Sequence, residues 1–571
     1  MRKARLLPIL LLFVAGGVNV QAQEEDLRKD FENYRKGAHK DYDDFRKQAL
    51  MEYSDFVRQA WKKFGAEPAV PVPQEEEIFP MLAPGADQET ASWFGRQMDK
   101  LKNMFKKKGK KVPDQLAQVE QLQNQQKAEE KKKEKKNKKE KAEEKKEKAE
   151  QQKPEAKKPV QMAVKQVIQP APLIKQPEPL AEVKQDKFLE NDYVEFRVFG
   201  TLCKVRIGEN CRFKLNGITS DEIADIIRDE FPKTQYDNLL YDCLQERKHH
   251  DLSDWAYYQM LLTLTRKFYG ENSNEGTLVL AFLYSQSGYK MRIAHDDSNL
   301  YMLAATRHFI YNKSFYYMDG EWFFLLDGRK AEKLSVCQAG FPKESSLSLQ
   351  ISAAQRLDMN PTGERTITSI KNPDFTFTLH SNKNYLDFYE TYPSSNIDNN
   401  FMTRWAIYAN TPLEKGIRDQ LYPQMKEKLQ GLSELEAVQQ MLWWLHGRLD
   451  LEGSISNSDT FLYRYDEDCW GEDRAFFGEE TLFYPYCDCE DRSILLSHLV
   501  RDLLGLDVIL VYYPGHLAMA VGFNEPVEGD FIMLDGRKFI VCDPTYIGAR
   551  VGETMPIVNN DDATVILLQK S

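Results

Sequence analysis

Three residues near the C-terminus have the types and spacing that nucleophilic acyl transfer requires. Cys489 lies in the sequence Cys-Asp-Cys-Glu-Asp, His516 follows 27 residues later, and Asp543 follows after another 27. A thiol supplies the nucleophile, an imidazole takes its proton, and a carboxylate holds the imidazole in the required tautomer. The pattern therefore predicts attack on an amide carbonyl through a thioester intermediate.

The neighbouring sequence predicts elements that would place these residues side by side. Residues 489–504 have the pattern of an amphipathic helix that ends at Gly505. Cys489 then stands at a helix N-terminus, where the pKa of a thiol is lowered. Strand-like runs follow, with His516 opening one strand and Asp543 ending another. In an antiparallel sheet, strands this close would bring both side chains to the helix.

This arrangement resembles the transglutaminase-like branch of the papain-type cysteine enzymes, and in its wider context the exported bacterial members. The matching segments are Cys489-Glu490-Asp491, Gly515-His516-Leu517-Ala518 and Val541-Cys542-Asp543-Pro544-Thr545. The resemblance covers most of residues 185–571. It implies an α+β fold with a transglutaminase-like, papain-like catalytic domain. It also implies Cys489 as nucleophile, His516 as base and Asp543 as its orienter.

Some assignments around the triad stay open at this point. Cys489 could instead be a buried structural thiol or form a disulfide with Cys487 or another cysteine. The backbone N–H of Cys489 is one expected oxyanion donor, and Trp470 and Tyr486 are two candidates for the second. Two further histidines, His446 and His498, have no matching context and are predicted to be structural.

The middle of the chain shows a weak similarity to the C-terminal part. A shift of 217 residues places Gly288 under Gly505 and Asn299 under His516, and one residue of slippage then places Asp327 under Asp543. Asn272 falls under the nucleophile in this pairing. Neither asparagine can form a thioester or take a proton at neutral pH. The pairing predicts a degenerate copy of the catalytic domain.

The first residues have the three parts of a secretory signal. Arg2, Lys3 and Arg5 precede an apolar run from residue 6 to 14, and Val20-Gln21-Ala22 supplies small residues at a cleavage site. We expect an exported protein, periplasmic or secreted, without a membrane span after cleavage. The formal net charge of −11 gives no reason to expect a nucleic-acid partner.

An 11-residue repeat of aromatic residues follows the signal sequence, with Tyr34, Phe45 and Phe56 in register. Eleven residues make three helical turns, so these rings form one stripe on a straight helix. The stripe either docks on a partner or, as we favour, packs on the protein's own domains. A stretch of Lys, Glu, Ala and Gln from 127 to 158 and a proline-rich sequel then predict a spacer.

No cofactor and no metal site are predicted. The chain has eight cysteines without a second pair at zinc-ligand spacing, and its nine histidines do not cluster with them. Cys203 and Cys211 flank a turn and could pair in an exported protein.

The predicted organisation has six parts. They are a signal peptide (1–22), an aromatic-repeat helix (23–66), a Lys/Glu- and Pro-rich linker (67–186), a degenerate transglutaminase-like domain (187–345), a connector (346–400) and a catalytic domain (401–571). The expected function is that of an exported thiol enzyme acting on an unidentified peptide or protein substrate, with hydrolysis favoured over protein cross-linking. The competing class is a non-catalytic binding or assembly protein.

Overall fold

The computed structural model describes residues 159–571, apart from short gaps, and the isolated helical positions 96, 99 and 103. The gaps are 184, 187–188, 190–191, 312, 314, 319, 332–333, 337–342, 451–452, 456–457, 471–472 and 570–571. The predicted signal peptide, aromatic-repeat helix and charged spacer lie outside the described residues. The described fold is mixed α+β, as predicted. None of its described helices combines the length and apolarity needed to cross a membrane.

The middle part of the chain consists of a hairpin, a group of helices and a five-stranded sheet. After β1 (Val164–Ile168) come β2 (Tyr193–Val198), β3 (Thr201–Arg206), α1 (Ser220–Asp229), α2 (Thr234–His249), α3 (Asp254–Tyr269) and α4 (Asn274–Gln286). The strands that follow are β4 (Met291–His295), β5 (Leu300–Thr306), β6 (His308–Ile310), β7 (Phe315–Met318), β8 (Glu321–Leu325) and β9 (Ser335–Val336).

The segment between the two sheets, predicted as a connector, contains regular structure. Its elements are β10 (Arg365–Thr368), β11 (Thr376–Leu379), α5 (Lys383–Thr391) and β12 (Ser395–Ile397). Tyr389 of α5 stacks on Phe477 with ring centroids 4.3 Å apart, and its hydroxyl donates to Glu479 at 3.0 Å. These contacts lie within one continuous hydrophobic core that runs from the middle part into the C-terminal part.

The C-terminal part alternates short helices with strands before it forms a large sheet. Its elements are α6 (Arg404–Asn410), α7 (Lys415–Leu429), α8 (Glu434–His446), β13 (Arg448–Leu449), β14 (Leu462–Tyr463), α9 (Asp466–Trp470), α10 (Gly478–Phe483), β15 (Tyr486–Cys487), α11 (Cys489–Leu504), β16 (Asp507–Tyr513), β17 (His516–Gly522), β18 (Phe531–Leu534), β19 (Arg537–Cys542) and β20 (Ala563–Leu567). The predicted helix 489–504 is therefore confirmed, with Gly505 as its left-handed C-cap at φ +66°.

The six-stranded sheet separates two apolar layers and has the order β1-β20-β16-β17-β19-β18. Leu510 and Met519 face the layer that contains α11, whereas Val511 and Ala518 face a second buried cluster. This alternation follows from the two-residue period of a strand that is buried on both faces. Helix α11 packs across β16 and β17, with the Ser493 hydroxyl bonded to the Leu517 carbonyl.

The segment before β1 joins the two edges of this sheet. Strand β1 pairs in parallel with β20 at one edge. At the other edge, the Phe531 N–H donates to the Val160 carbonyl at 3.0 Å, and the Met162 N–H donates to the Phe531 carbonyl at 2.8 Å. Met162 is buried in the second cluster, where the Tyr513 hydroxyl lies 3.1 Å from its sulfur. A short piece of the predicted linker thus completes the C-terminal sheet.

The middle sheet and the C-terminal sheet have the same strand order. The order β7-β8-β5-β4 in the middle part corresponds to β18-β19-β17-β16 in the C-terminal part, and both begin after a buried helix. Helix α4 precedes the middle set and ends before Gly288 at φ +96°, as α11 ends before Gly505. The two units therefore share one topology.

The pairing registers of the two sheets correspond as well. Ile293 pairs with Met302, and the residues 217 positions later, Leu510 and Met519, pair with each other. In the next pair of strands, Leu303 pairs with Leu325 in the middle sheet, and Ala520 pairs with Val541 in the C-terminal sheet. The offset is 217 residues from Leu303 to Ala520 and 216 residues from Leu325 to Val541. This is the slippage that the sequence comparison required.

Candidate active site

Cys489 is the first residue of α11 and is almost fully buried, with 6% of its surface exposed. Its thiol donates to the Glu490 carboxylate at 3.1 Å. The Asp488 N–H in turn donates to the Asp491 carboxylate at 3.2 Å and so fixes the first turn of the helix. Cys489 and Cys487 form no disulfide with the described cysteines, and the Arg492 Nε donates to the Cys487 sulfur at 3.3 Å.

His516, at the start of β17, and Asp543, directly after β19, form a buried pair. The imidazole Nε2 lies 2.8 Å from the Asp543 Oδ2, and each residue is only 2% exposed. Thr545 donates to the other carboxylate oxygen through both its N–H, at 2.9 Å, and its hydroxyl, at 2.7 Å. Burial opposes ionisation of Asp543, but the His516 charge and these hydrogen bonds outweigh it and lower the Asp543 pKa.

The second imidazole nitrogen is positioned to act as a base. The carboxylate accepts from Nε2–H and so leaves the lone pair on Nδ1, which is buried without a hydrogen-bond partner among the described residues. The ring of Tyr513 stacks on that of His516, with centroids 6.3 Å apart at 17°, and restricts its rotation. This tautomer is the one that can accept a proton from a thiol.

A hydrogen bond joins α11, which begins at Cys489, to β17, which begins at His516. The Ser493 hydroxyl donates to the Leu517 carbonyl at 3.0 Å. Ser493 lies one helical turn after Cys489, and Leu517 directly follows His516 in the chain. Cys489 therefore begins a helix that is hydrogen-bonded to the strand beginning at His516, and Asp543 lies against His516.

A cluster of buried carboxylates surrounds the start of α11, and sequence reasoning missed its extent. Oxygens of Asp466, Asp488 and Asp491 lie within 4.8 Å of one another. Burial raises the pKa of each of the three well above its usual value, and the negative charges of neighbouring carboxylates raise it further. One oxygen of Asp466 and one of Asp488 are buried without a hydrogen-bond partner in the described structure.

This donor set consists of hard oxygens, which suit a cation such as Ca²⁺ or Mg²⁺. The pair Asp488 and Asp491 could have been noted from their places beside Cys489. Asp466 carries no such signal, because more than twenty residues separate it from the helix start.

Of the two candidates for the second oxyanion donor, Trp470 has the more suitable polar group. Its indole Nε1 is buried and has no hydrogen-bond partner in the part of the chain that the structure describes. Its ring packs against that of Tyr486, with centroids 6.1 Å apart. Burial raises the pKa of Tyr486, so its hydroxyl stays protonated. An indole N–H can only donate, which suits a developing oxyanion.

The two other histidines of this region lie against backbone groups. The His446 Nδ1 accepts from the Gly548 N–H at 3.1 Å, and burial lowers its pKa to about 3. The His498 Nε2 lies 3.3 Å from the Tyr408 carbonyl, and burial lowers its pKa to about 4. Both side chains are therefore neutral and enclosed at neutral pH.

The residues of the middle part that align with Cys489, His516 and Asp543 make different contacts. Asn299 donates its backbone N–H to Asp296 at 2.7 Å, and Asp327 pairs with Arg329 at 2.6 Å. Asn272 lies just before α4 in a left-handed conformation, at φ +57°. These positions contain no thiol and no imidazole, so they lack a nucleophile and a base.

No family model, no curated protein and no solved structure matches the chain.

Proposed function

We propose that this chain is a transglutaminase-like thiol enzyme that hydrolyses an amide or peptide bond through a Cys489 thioester. The observation that carries the proposal is the buried His516–Asp543 pair, whose imidazole Nδ1 has no hydrogen-bond partner among the described residues, on a strand that packs against the helix beginning at Cys489. Asp543 fixes the tautomer, and the fixed tautomer offers a base.

The chemistry proceeds in two halves. The Cys489 thiol gives its proton to His516 Nδ1, and the sulfur attacks the substrate carbonyl carbon. The negative charge on the carbonyl oxygen is held by the Cys489 N–H, with Trp470 Nε1 as the second donor. The C–N bond then breaks, the amine leaves with the proton from the imidazolium, and the acyl group remains on sulfur as a thioester.

Water completes the reaction. His516 takes a proton from water as the hydroxyl adds to the thioester, the C–S bond breaks, and the acid is released while Cys489 regains its proton. An amine would resolve the same thioester and cross-link two proteins. We favour water because it is present at tens of molar, and an amine acceptor must be bound and shielded from water to compete.

The non-catalytic alternative draws support from two features. The Cys489 thiol is almost buried and donates to a carboxylate, which favours the protonated form. The middle sheet also keeps its topology without a nucleophile, and we propose it as an inert copy of the catalytic unit that supports the active one or binds substrate. A scaffold built from two such units would need no thiol chemistry.

Labelling of the full-length protein with an amide-mimicking electrophilic probe tests the proposal. We expect stoichiometric labelling that is lost in Cys489→Ala and retained in Cys542→Ala, which removes another buried free thiol. Turnover of a peptide library should fall to background in Cys489→Ala alone. Absence of both labelling and turnover in the folded wild-type protein contradicts an enzymatic function. Stable incorporation of a labelled primary amine in excess of hydrolysis would replace the hydrolase by a transglutaminase.

A further inference from the structure

Three metal-ligating side chains converge in the middle part of the chain, far from Cys489 in sequence. The sulfur of Cys203, a carboxylate oxygen of Glu246 and a ring nitrogen of His250 lie within 4.8 Å of one another. Cys203 lies on β3, which packs against α2. Glu246 and His250 are four residues apart at the C-terminal end of α2, so they share one face of the helix.

The imidazole of His250 is oriented as in a metal-ligating histidine. Its Nδ1 lies 3.0 Å from the Arg356 carbonyl, and its Nε2 lies 3.3 Å from the Glu246 carboxylate. A metal-bound histidine commonly donates its other ring N–H to a backbone carbonyl, which fixes the tautomer and aims the remaining nitrogen at the ion. The Arg356 carbonyl takes that place here.

Two carboxylates flank the thiol of Cys203, which is fully buried. The residues before and after Cys203 donate their backbone N–H groups to these carboxylates. The Leu202 N–H donates to Asp358 at 3.1 Å, and the Lys204 N–H donates to Glu246 at 3.3 Å. Burial raises the pKa of the Cys203 thiol to about 12, and the charges of Glu246 and Asp358 contribute. A cation bound between these groups would reverse this effect, because a metal-bound thiol is deprotonated.

We propose that Cys203, Glu246 and His250 form a binding site for a zinc-class divalent cation. A thiolate, an imidazole and a carboxylate are the three ligand types that Zn²⁺ takes in proteins. Half of the Asp358 side chain is exposed, with 51% of its surface accessible, so this carboxylate or a water molecule reached from that side fills the fourth position.

The site joins the hairpin β2–β3 to the C-terminal end of α2. It is independent of the reaction proposed at Cys489. Binding exchanges protons for the metal: the thiol proton leaves as the metal–sulfur bond forms, and the proton on Nε2 leaves as the metal–nitrogen bond forms. Asp358 lies on the loop that also carries Arg356, so the ion would tie a third segment to the same point.

Metal titration of the chelator-stripped, full-length protein tests this site. Zn²⁺ is titrated against a chromogenic chelator, and Co²⁺ is used as an optical probe of thiolate ligation. We expect a thiolate-to-Co²⁺ charge-transfer band in the wild-type protein that is absent in Cys203→Ser. Zn²⁺ affinity at this site should fall at least about 100-fold in Cys203→Ser and in His250→Gln, since loss of an outer-shell partner alone costs 10–100-fold.

Control variants test whether loss of the Co²⁺ band is specific to the proposed ligands. Cys211→Ser removes another buried thiol of the middle part, and His249→Gln removes the exposed neighbour of His250. Both should retain the band, as should Cys489→Ala, which reports on the thiol of the candidate active site. Glu246→Gln preserves side-chain shape and should weaken binding in a protein that melts as the wild type does. A band unchanged in folded Cys203→Ser, or equally lost in Cys211→Ser, would refute the site, and so would failure of the wild type to bind Zn²⁺.

Discussion

At the scale of single residues, the proposed nucleophile and base have opposite surroundings. His516 faces an ionised Asp543, which stabilises a positive charge on the imidazole. Cys489 donates to Glu490 and adjoins Asp488, whose pKa is raised by burial and by neighbouring acidic groups, so its surroundings disfavour a thiolate. In the proposed mechanism, the proton therefore passes from the Cys489 thiol to His516 as the sulfur attacks the substrate carbonyl.

Replacement of Asp543 by asparagine should lower turnover about 10³-fold or more, because the amide cannot hold the imidazolium. The equivalent replacement at the corresponding middle position, Asp327→Asn, should leave the chemical step unchanged. Initial rates of both variants, with circular dichroism spectra to establish folding, provide the comparison. Near-normal turnover in folded Asp543→Asn would exclude this carboxylate from the reaction.

Thr545 is expected to act through Asp543 as a positioning residue. Thr545→Val keeps the side-chain shape but removes the 2.7 Å hydrogen bond to Asp543 Oδ1. We expect a drop in turnover on the order of 10-fold, from the loss of one bond to a charged group worth about 1.5–3 kcal/mol. The acidic limb of the pH–rate profile should shift, and Thr545→Ser should restore it. A loss of stability with an unchanged profile would assign Thr545 a purely structural role.

At the scale of elements, local sequence determined what could be predicted around the site. A capping box forms at Ser433 and Glu436, and Asp535-Gly536 makes the hairpin turn between β18 and β19 with both φ angles positive. The helix from Cys489 to Leu504 was predictable because its start, stop and periodicity all lie within its own residues. Each of these features depends on neighbours only a few positions away.

Two glycines that follow helices differ in the space available for a side chain. Gly447 follows α8 at φ +50°, and a Cβ there would lie 1.9 Å from the Phe461 carbonyl oxygen. Gly505 follows α11 at φ +66° with open space around its Cα. Gly447→Ala should therefore cost at least about 3 kcal/mol of unfolding free energy, and Gly505→Ala only about 1 kcal/mol. Urea unfolding of both variants measures the difference, and equal costs would contradict the steric argument.

Contacts between distant segments could not be predicted from local patterns. Strand β1 lies in a proline-rich stretch and pairs with the last strand of the chain. Asp466 joins Asp488 and Asp491 only because α9 and α11 meet in three dimensions. Cys203 meets His250 for the same reason. Sequence periodicity reports the buried face of an element and does not identify its partner.

At the scale of the whole molecule, buried histidines should make stability depend on pH. Burial lowers the pKa of His308 and His446 to about 3 and that of His498 to about 4. In the unfolded chain each titrates near 6.5. Below that pH the unfolded state binds protons that the native state does not, so stability is complete above pH 6.5 and falls as the pH decreases towards the folded-state values.

Each of these histidines should contribute a slope of about 1.4 kcal/mol per pH unit once the unfolded form is fully protonated. His446→Asn should reduce the slope between pH 6 and 5 by roughly this amount, whatever its effect at pH 7. Urea unfolding at several pH values gives the slopes. Identical slopes for the variant and the wild type would show that His446 takes up its proton equally in both states.

The pairing of β1 with β20 also determines when the C-terminal sheet can be completed during synthesis of the chain. Lys165, on β1, and Asp562, beside β20, form an ion pair across 397 residues. At a synthesis rate of about 5–20 residues per second, β1 waits roughly 20–80 s for its partner to be made. A nascent chain thus carries an unpaired strand while the 397 residues from Lys165 to Asp562 are made. The candidate active site, whose sheet β1 closes, is among the last parts of the molecule that can finish folding.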